Sequence, residues 1–188
     1  MQRYLATLAL VLLLGMVLTR VVWMKRTGTS AMHFGKIDKT DFFILPFALF
    51  YFYTVLAAAF NLPLVSTQSF FYSEVICWVG VVLCLGGLIL FLLSLVSFGR
   101  SFRVGIDVDH ADKLVTTGVF AFSRNPLYLA FGSLLLGQFL VFPNWILLVY
   151  TVAGIGLFQR QVLREEGFLR QRYGQEYADY CNRVRRYF

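Results

Sequence analysis

Residues 75–98, which read VICWVGVVLCLGGLILFLLSLVSF, decide the fold of this chain. The stretch contains no acidic or basic residue, and a helix needs about 20 apolar residues to cross the roughly 30 Å hydrocarbon core of a bilayer. We therefore predict that it spans a membrane. The composition agrees, because 59% of the 188 residues are hydrophobic and 14% are charged, whereas a soluble domain carries about 25% charged residues. A soluble globular domain and a disordered chain are both poor interpretations.

Four further apolar blocks flank this stretch: residues 4–24, 42–62, 126–142 and 144–163. The last two are separated only by Pro143, which predicts a tight helical hairpin with slightly short arms. The first block follows a basic start but contains Arg20 and lacks a small-residue cleavage site, so we expect it to be retained. The prediction is an all-α integral membrane protein that forms a single membrane domain, residues 1–188, with five transmembrane helices.

The basic residues alternate between the connections of these blocks. The connections after the first and third blocks contain four Lys or Arg each, those after the second and fourth contain none, and seven follow at the end of the fifth block and in the tail. By the positive-inside rule, the N-terminus is expected outside and the C-terminus in the cytoplasm, as in a bacterial or archaeal inner-membrane protein. The net charge of +7 then favours membrane lipids and phosphorylated ligands over nucleic acid.

The segment SRNPLY, residues 123–128, lies where the polar third connection becomes the fourth block. Asn125 is a good N-cap and Pro126 suits the first helical position, so we expect a helix to begin here with free backbone N–H groups. Such a helix start attracts anions, and the planar fork of Arg124 suits a carboxylate or phosphate. The alternative is a capped helix with an arginine that extends to the membrane surface.

Two acids, Glu165 and Glu166, follow the fifth block on the same predicted helix. Successive helical positions point about 100° apart, so the two carboxylates face different surroundings. Glu166 has Arg170 one turn later, in the order that favours an ion pair. Glu165 faces Gln161 and has no such obvious partner, which makes it the acid more open to a ligand.

The tail has the spacing of an amphipathic helix. Large apolar and aromatic residues recur at intervals of 4, 4, 3, 4 and 3 residues, which predicts a helix that lies on the membrane surface or over a pocket. Gly174 interrupts this seam and is expected to mark a bend. The seam consists of Leu169, Tyr173, Tyr177, Tyr180, Val184 and Tyr187. The three cysteines and two histidines of the chain lie far apart without ligand spacing, so we expect neither a metal site nor a disulfide framework.

Four short segments occur in a characteristic order: LVTTGVF at 114–120, RNPLY at 124–128, EEGFL at 165–169 and YGQEY at 173–177. In order and spacing they resemble the isoprenylcysteine carboxyl methyltransferase family, which also takes in phospholipid methyltransferase-like proteins. The motif of that family usually reads Arg-His-Pro-x-Tyr, and here Asn125 replaces the histidine. No titratable side chain therefore stands at this position.

The resemblance implies an integral membrane methyltransferase that uses S-adenosyl-L-methionine. The resemblance covers the last ~90 residues and implies a cofactor-binding catalytic part in residues 99–188, whereas the three N-terminal helices in residues 1–98 are predicted from the apolar blocks. The acceptor would be lipid-like, or would carry a thiol or carboxylate, and would be embedded in the membrane or amphipathic. Arg124 and Glu165 are the candidate catalytic residues, with Glu165 as a possible base for an amine or hydroxyl acceptor. The implied cofactor-binding residues are Leu114, Val115, Gly118, Arg124, Asn125, Pro126, Tyr128, Glu165 and Glu166.

Two other classes of protein stay open on the residues alone. A membrane reductase of enones or sterols would share small helices and a polar C-terminal face, and would need NADPH. A non-catalytic membrane protein would keep the same pocket for structural reasons or bind a partner through its basic face. These classes can be distinguished by whether S-adenosylhomocysteine, NADPH or neither ligand raises the thermal stability of the protein.

Overall fold

Every described element of the protein is helical. The computed structural model describes residues 1–26, 44–62, 69–98 and 114–187, and no strand occurs within these ranges. The predicted all-α architecture is confirmed. The elements are α1 Gln2–Arg26, α2 Ile44–Phe60, α3 Glu74–Phe98, a 3-10 turn Gly118–Ala121, α4 Pro126–Val141, α5 Trp145–Tyr173 and α6 Gln175–Arg183.

Three of the described helical segments are long and apolar enough to cross a membrane: Gln2–Trp23, Glu74–Phe98 and Trp145–Arg183. The apolar stretches Pro46–Phe60 in α2 and Pro126–Val141 in α4 are shorter. The 16 residues of α4 rise by about 24 Å, which makes it a short arm, as the sequence predicts. Large apolar side chains on α3 remain exposed, such as Val82 at 66%, as expected for a surface that faces lipid.

The centre of the bundle is the contact between α3 and α4, where glycines allow the two backbones to meet. A Cβ atom added at Gly137 would lie 2.6 Å from the carbonyl oxygen of Gly80, and one added at Gly87 would lie 2.8 Å from that of Ala130. Close approach of this kind is the usual role of small residues in membrane helices. Because α3 and α4 pack closely at both of these levels, the contact sets the position of α4 relative to α3.

Polar groups secure the neighbouring helices. The fully buried Gln138 of α4 donates from Nε2 to the carbonyl oxygen of Ala6 in α1 at 2.6 Å. Asn144 caps α5 by accepting a hydrogen bond from the backbone N–H of Leu147 at 3.0 Å. The predicted hairpin of α4 and α5 is confirmed, and its tight turn brings the start of α4 and the far end of α5 to the same boundary of the bundle.

Most of the residues that connect the apolar blocks, 27–43, 63–68 and 99–113, lie outside the described residues. The predicted orientation, with the N-terminus outside, therefore stays a prediction. The first two residues of the second predicted block, 42–43, also lie outside.

Candidate functional site

The site begins where the turn Gly118–Ala121 packs on the end of α3. The backbone N–H of Val119 donates to Oγ of Ser97 at 3.3 Å, and the rings of Phe98 and Phe120 lie 4.5 Å apart. Gly118 has a φ of +64°, and a Cβ atom there would collide with Ser97. A side chain at this position is excluded both by the backbone conformation and by space. Gly118 thus sets the path of the chain into the site.

Arg124 lies between the start of α4 and the tail. Its backbone N–H donates to the carbonyl oxygen of Arg185 at 3.1 Å, its Nη1 contacts Sγ of Cys181, and its Nη2 lies 3.5 Å from Oε1 of Glu166. The side chain is 11% exposed, and its buried Nε has no hydrogen-bond partner among the described residues. The edge formed by Nε and Nη2 therefore has unused donor capacity.

The predicted helix start is confirmed, since α4 begins at Pro126 with Asn125 at the N-cap position. The Asn125 side chain, however, makes no capping hydrogen bond. Its Nδ2 lies 3.2 Å from the carbonyl oxygen of Arg186 and 3.5 Å from Oε1 of Glu166. Both contacts hold the amide of Asn125 toward the tail and Glu166, and its side-chain oxygen accepts no N–H group from the first turn of α4. Asn125 therefore does not cap the helix.

Glu166 is 5% exposed and is bound by an arginine of the tail. Arg186 donates from Nε to Oε1 at 3.0 Å and from Nη2 to Oε2 at 2.8 Å. The expected pair with Arg170 is wrong, because Glu166 faces the start of α4 while Arg170 is exposed. Burial acts to raise the pKa of Glu166, but hydrogen bonds from Arg186 and the charge of Arg124 outweigh it and hold the pKa below its ordinary value. Glu166 is therefore ionised at neutral pH.

Glu165 lies just beyond the apolar block 144–163, in different surroundings. The hydroxyl of Tyr128 donates to its Oε1 at 2.6 Å, and Nε2 of Gln161 donates to the same atom at 3.0 Å. Burial raises the pKa of Glu165, and the two hydrogen bonds offset this only in part. The structure thus separates the two acids, as helical geometry predicts, and Glu165 is the one suited to exchange a proton.

The tail folds back over the turn. Tyr177 and Tyr180 are buried, and the hydroxyl of Tyr180 donates to the carbonyl oxygen of Phe120 at 2.7 Å. The hydroxyl of Tyr177 is buried without a partner among the described residues. The predicted bend is confirmed at Gly174, which has a φ of +51° between α5 and α6. Residues 114 and 115 of the implied nucleoside region are half-buried. The cluster around the two tyrosines comprises Val184, Leu114, Leu169, Tyr173 and Cys181.

The sequence did not single out Arg186 or Ser123. Ser123 donates from Oγ to the carbonyl oxygen of Arg186 at 3.3 Å and accepts from the backbone N–H of Asn125 at 3.2 Å. One signal could have pointed to Arg186, since a carboxylate at a membrane exit needs a cation and the tail is rich in arginine. The spacing of the arginines along the chain did not indicate which of them would pair with Glu166. Within the described ranges, no group of three His, Cys, Asp or Glu side chains is placed to hold a metal ion.

Comparison with known proteins adds to this geometry. A family model described as phospholipid methyltransferase matches residues 75–176. The chain is 31% identical over 138 residues to a probable protein-S-isoprenylcysteine O-methyltransferase of Oryza sativa subsp. indica, which covers 69% of this chain and 72% of the rice protein. It is 31% identical over 108 residues to protein-S-isoprenylcysteine O-methyltransferase B of Arabidopsis thaliana, covering 56% of this chain and 55% of that protein.

A Xenopus laevis protein-S-isoprenylcysteine O-methyltransferase is 26% identical over 163 residues, covering 82% of this chain and 56% of the frog protein. These relatives are eukaryotic and give no support to the expected bacterial or archaeal origin. The matched segment runs from the start of α3 to the beginning of α6 and so contains Arg124, Glu165 and Glu166, whereas Arg186 lies beyond it. Because the family model spans more than half of the chain and the rice protein aligns over two thirds of both partners, this chain belongs to the membrane methyltransferase family that includes the protein-S-isoprenylcysteine O-methyltransferases.

Proposed function

We propose that the chain is an S-adenosyl-L-methionine-dependent methyltransferase that acts at the cytoplasmic membrane face on a membrane-embedded or amphipathic acceptor. One observation carries this proposal. The hairpin of α4 and α5 brings Arg124, with unused donor capacity, together with two acids in contrasting surroundings. This meeting point lies inside the segment matched by the methyltransferase family model. A charged soluble donor and an apolar acceptor can both reach such a boundary.

The residues present fit the cofactor. S-adenosyl-L-methionine carries a carboxylate, an ammonium, ribose hydroxyls and an adenine. The orphaned Nε of Arg124 and the uncapped first turn of α4, with Pro126 at its first position, suit the carboxylate. Glu165, near Tyr128, suits the ammonium or a hydroxyl, since both of its hydrogen bonds end on Oε1. The half-buried residues at 114 and 115, with the turn at Gly118, suit the adenine.

The bound cofactor supplies a methyl group already activated by its positive sulfur. Arg124 and the start of α4 hold the donor in place, which is the main contribution that a protein makes to such a transfer. Asn125, in place of the family histidine, cannot titrate and serves to position the turn. A carboxylate acceptor needs no proton removed. For a thiol, amine or hydroxyl acceptor, Glu165 takes the proton, and its raised pKa makes it a better base near neutral pH.

Two further parts of the proposal rest on the sequence. The charge alternation supports a cytoplasmic C-terminus, which puts the site on the side where the soluble cofactor occurs. Residues 1–98 serve as the membrane body, and residues 99–188 carry the catalytic part. We propose that the methyl acceptor carries a thiol or carboxylate on an apolar chain. Membrane lipids surround the protein.

A ligand-dependent stability measurement tests the function. Purified protein in detergent is heated with S-adenosylhomocysteine, with NADPH or with neither. A ligand that binds only the folded state stabilises it by about 2.7 kcal/mol at a hundred times its Kd. We expect a higher unfolding temperature with S-adenosylhomocysteine alone. Stabilisation by NADPH alone would instead support a reductase, and no stabilisation by either ligand would support a non-catalytic protein.

A further inference from the structure

Residues 184–187, called the C-terminal strap here, follow α6 and pass beside the start of α4. Val184, which follows α6, has φ −125° and ψ 130°. The carbonyl oxygen of Arg185 accepts from the backbone N–H of Arg124, and that of Arg186 accepts from Ser123 and Asn125. The strap therefore forms a wall of the candidate site through main-chain contacts that do not depend on any strap side chain.

The side chain of Arg186 adds a charge to this wall. It meets both oxygens of Glu166, at 3.0 and 2.8 Å, in the two-pronged geometry that arginine makes with carboxylates. Arg186 is 38% exposed at its side chain, whereas Glu166 is 6% exposed. The two partners are therefore unequal, because water can solvate Arg186 but not Glu166.

Arg124 approaches the same carboxylate. Its Nη2 lies 3.5 Å from Oε1 of Glu166, which is longer than an ordinary hydrogen bond. A buried carboxylate that loses its main cation takes the nearest remaining one, because an unpaired buried charge is costly. That cation is Arg124, and its Nε–Nη2 edge would then close on Glu166.

We propose that Arg186 is a positioning residue that satisfies Glu166 and thereby keeps Arg124 available for the cofactor. The inference rests on the proposed function, since it concerns the affinity of the same site for S-adenosyl-L-methionine. In this arrangement Glu166 supports Arg124, and the C-terminal strap is a functional part of the site.

The two partners of the ion pair give different expected results. Arg186→Ala leaves Glu166 charged and free to capture Arg124, so affinity for S-adenosylhomocysteine should fall by about ten-fold or more. Glu166→Gln removes the competing charge and leaves Arg186 to water, so affinity should fall by less than about three-fold. The double variant should bind like Glu166→Gln, because no carboxylate remains to capture Arg124. Arg186→Lys keeps the charge and should lie between wild type and Arg186→Ala.

If the ion pair between Arg186 and Glu166 served only to hold the C-terminal strap in place, the results would differ. The loss of either partner would then weaken binding equally. Calorimetry with S-adenosylhomocysteine on the four variants and wild type decides between the two roles, with the exposed Arg172→Ala on α5 as the matched control. Recovery of affinity in the double variant supports the inference. Equal losses in Arg186→Ala, Glu166→Gln and the double variant would overturn it, as would an unchanged Arg186→Ala. Absence of binding by wild type would instead overturn the proposed function, and the inference with it.

Discussion

Replacement of Arg124 separates a carboxylate-binding arginine from one that only braces the start of α4. Arg124→Lys keeps the positive charge but loses the planar fork, and Arg124→Ala loses both. If the Nε–Nη2 edge holds the cofactor carboxylate, affinity should fall in both variants and further in Arg124→Ala. The backbone N–H of residue 124 still reaches the carbonyl oxygen of Arg185 in either variant, because that contact is made by the main chain.

The size of the loss follows from the surroundings of Arg124. Its side chain is 11% exposed, so water screens the proposed contact only weakly. Glu166 keeps its two short hydrogen bonds to Arg186 when Arg124 is removed, so the wall of the site stays in place. A hydrogen bond to a charged group contributes about 1.5 to 3 kcal/mol, which corresponds to roughly ten- to a hundred-fold weaker binding in Arg124→Ala.

Calorimetry with two ligands provides the assay. S-adenosyl-L-methionine should bind Arg124→Ala ten to a hundred times more weakly than wild type, on the order set by the lost charged contact. Decarboxylated S-adenosylmethionine lacks the proposed partner group and should bind both proteins with similar affinity. Arg172→Ala, an exposed arginine on α5, controls for the loss of one positive charge. If Arg124→Ala weakens both ligands equally, or neither, then Arg124 does not contact the carboxylate.

Three further predictions concern stability and topology. Gly137→Ala should lower the thermal midpoint because its Cβ would meet the Gly80 carbonyl oxygen, whereas Gly132→Ala, with nothing within 4 Å, should not; equal midpoints would contradict the packing argument. Glu166 has a lowered pKa, so its stabilising contribution is present above the ordinary value of 4.5 and is lost as the pH falls through the folded-state value. Below pH 4.5 the midpoint of wild type should therefore fall more steeply than that of Glu166→Gln, and parallel curves would refute this. Reporter fusions should place Ser66 outside and Ser101 inside, and finding both on one side would eliminate the five-span topology.

The amino-acid sequence by itself determined which segments are helical and where the site begins. Long apolar blocks leave few alternatives in a membrane, since every backbone polar group there must be bonded within its own segment. The same local logic located the start of α4 at Pro126 and the bend at Gly174. The order of the short segments around these points was enough to indicate the methyltransferase family, because it needs only positions along the chain.

Only the tertiary structure decided which charges meet. The sequence favoured Arg170 as the partner of Glu166 because that pair is local on one helix. The structure instead brings Arg186 to Glu166, and it turns the Asn125 side chain away from the cap. Both results depend on the path of the chain after Gly174 and on how deeply Glu166 is buried, which spacing along a helix does not contain. A buried carboxylate takes whichever cations the fold brings to it, and this choice is made by packing between segments far apart in the chain.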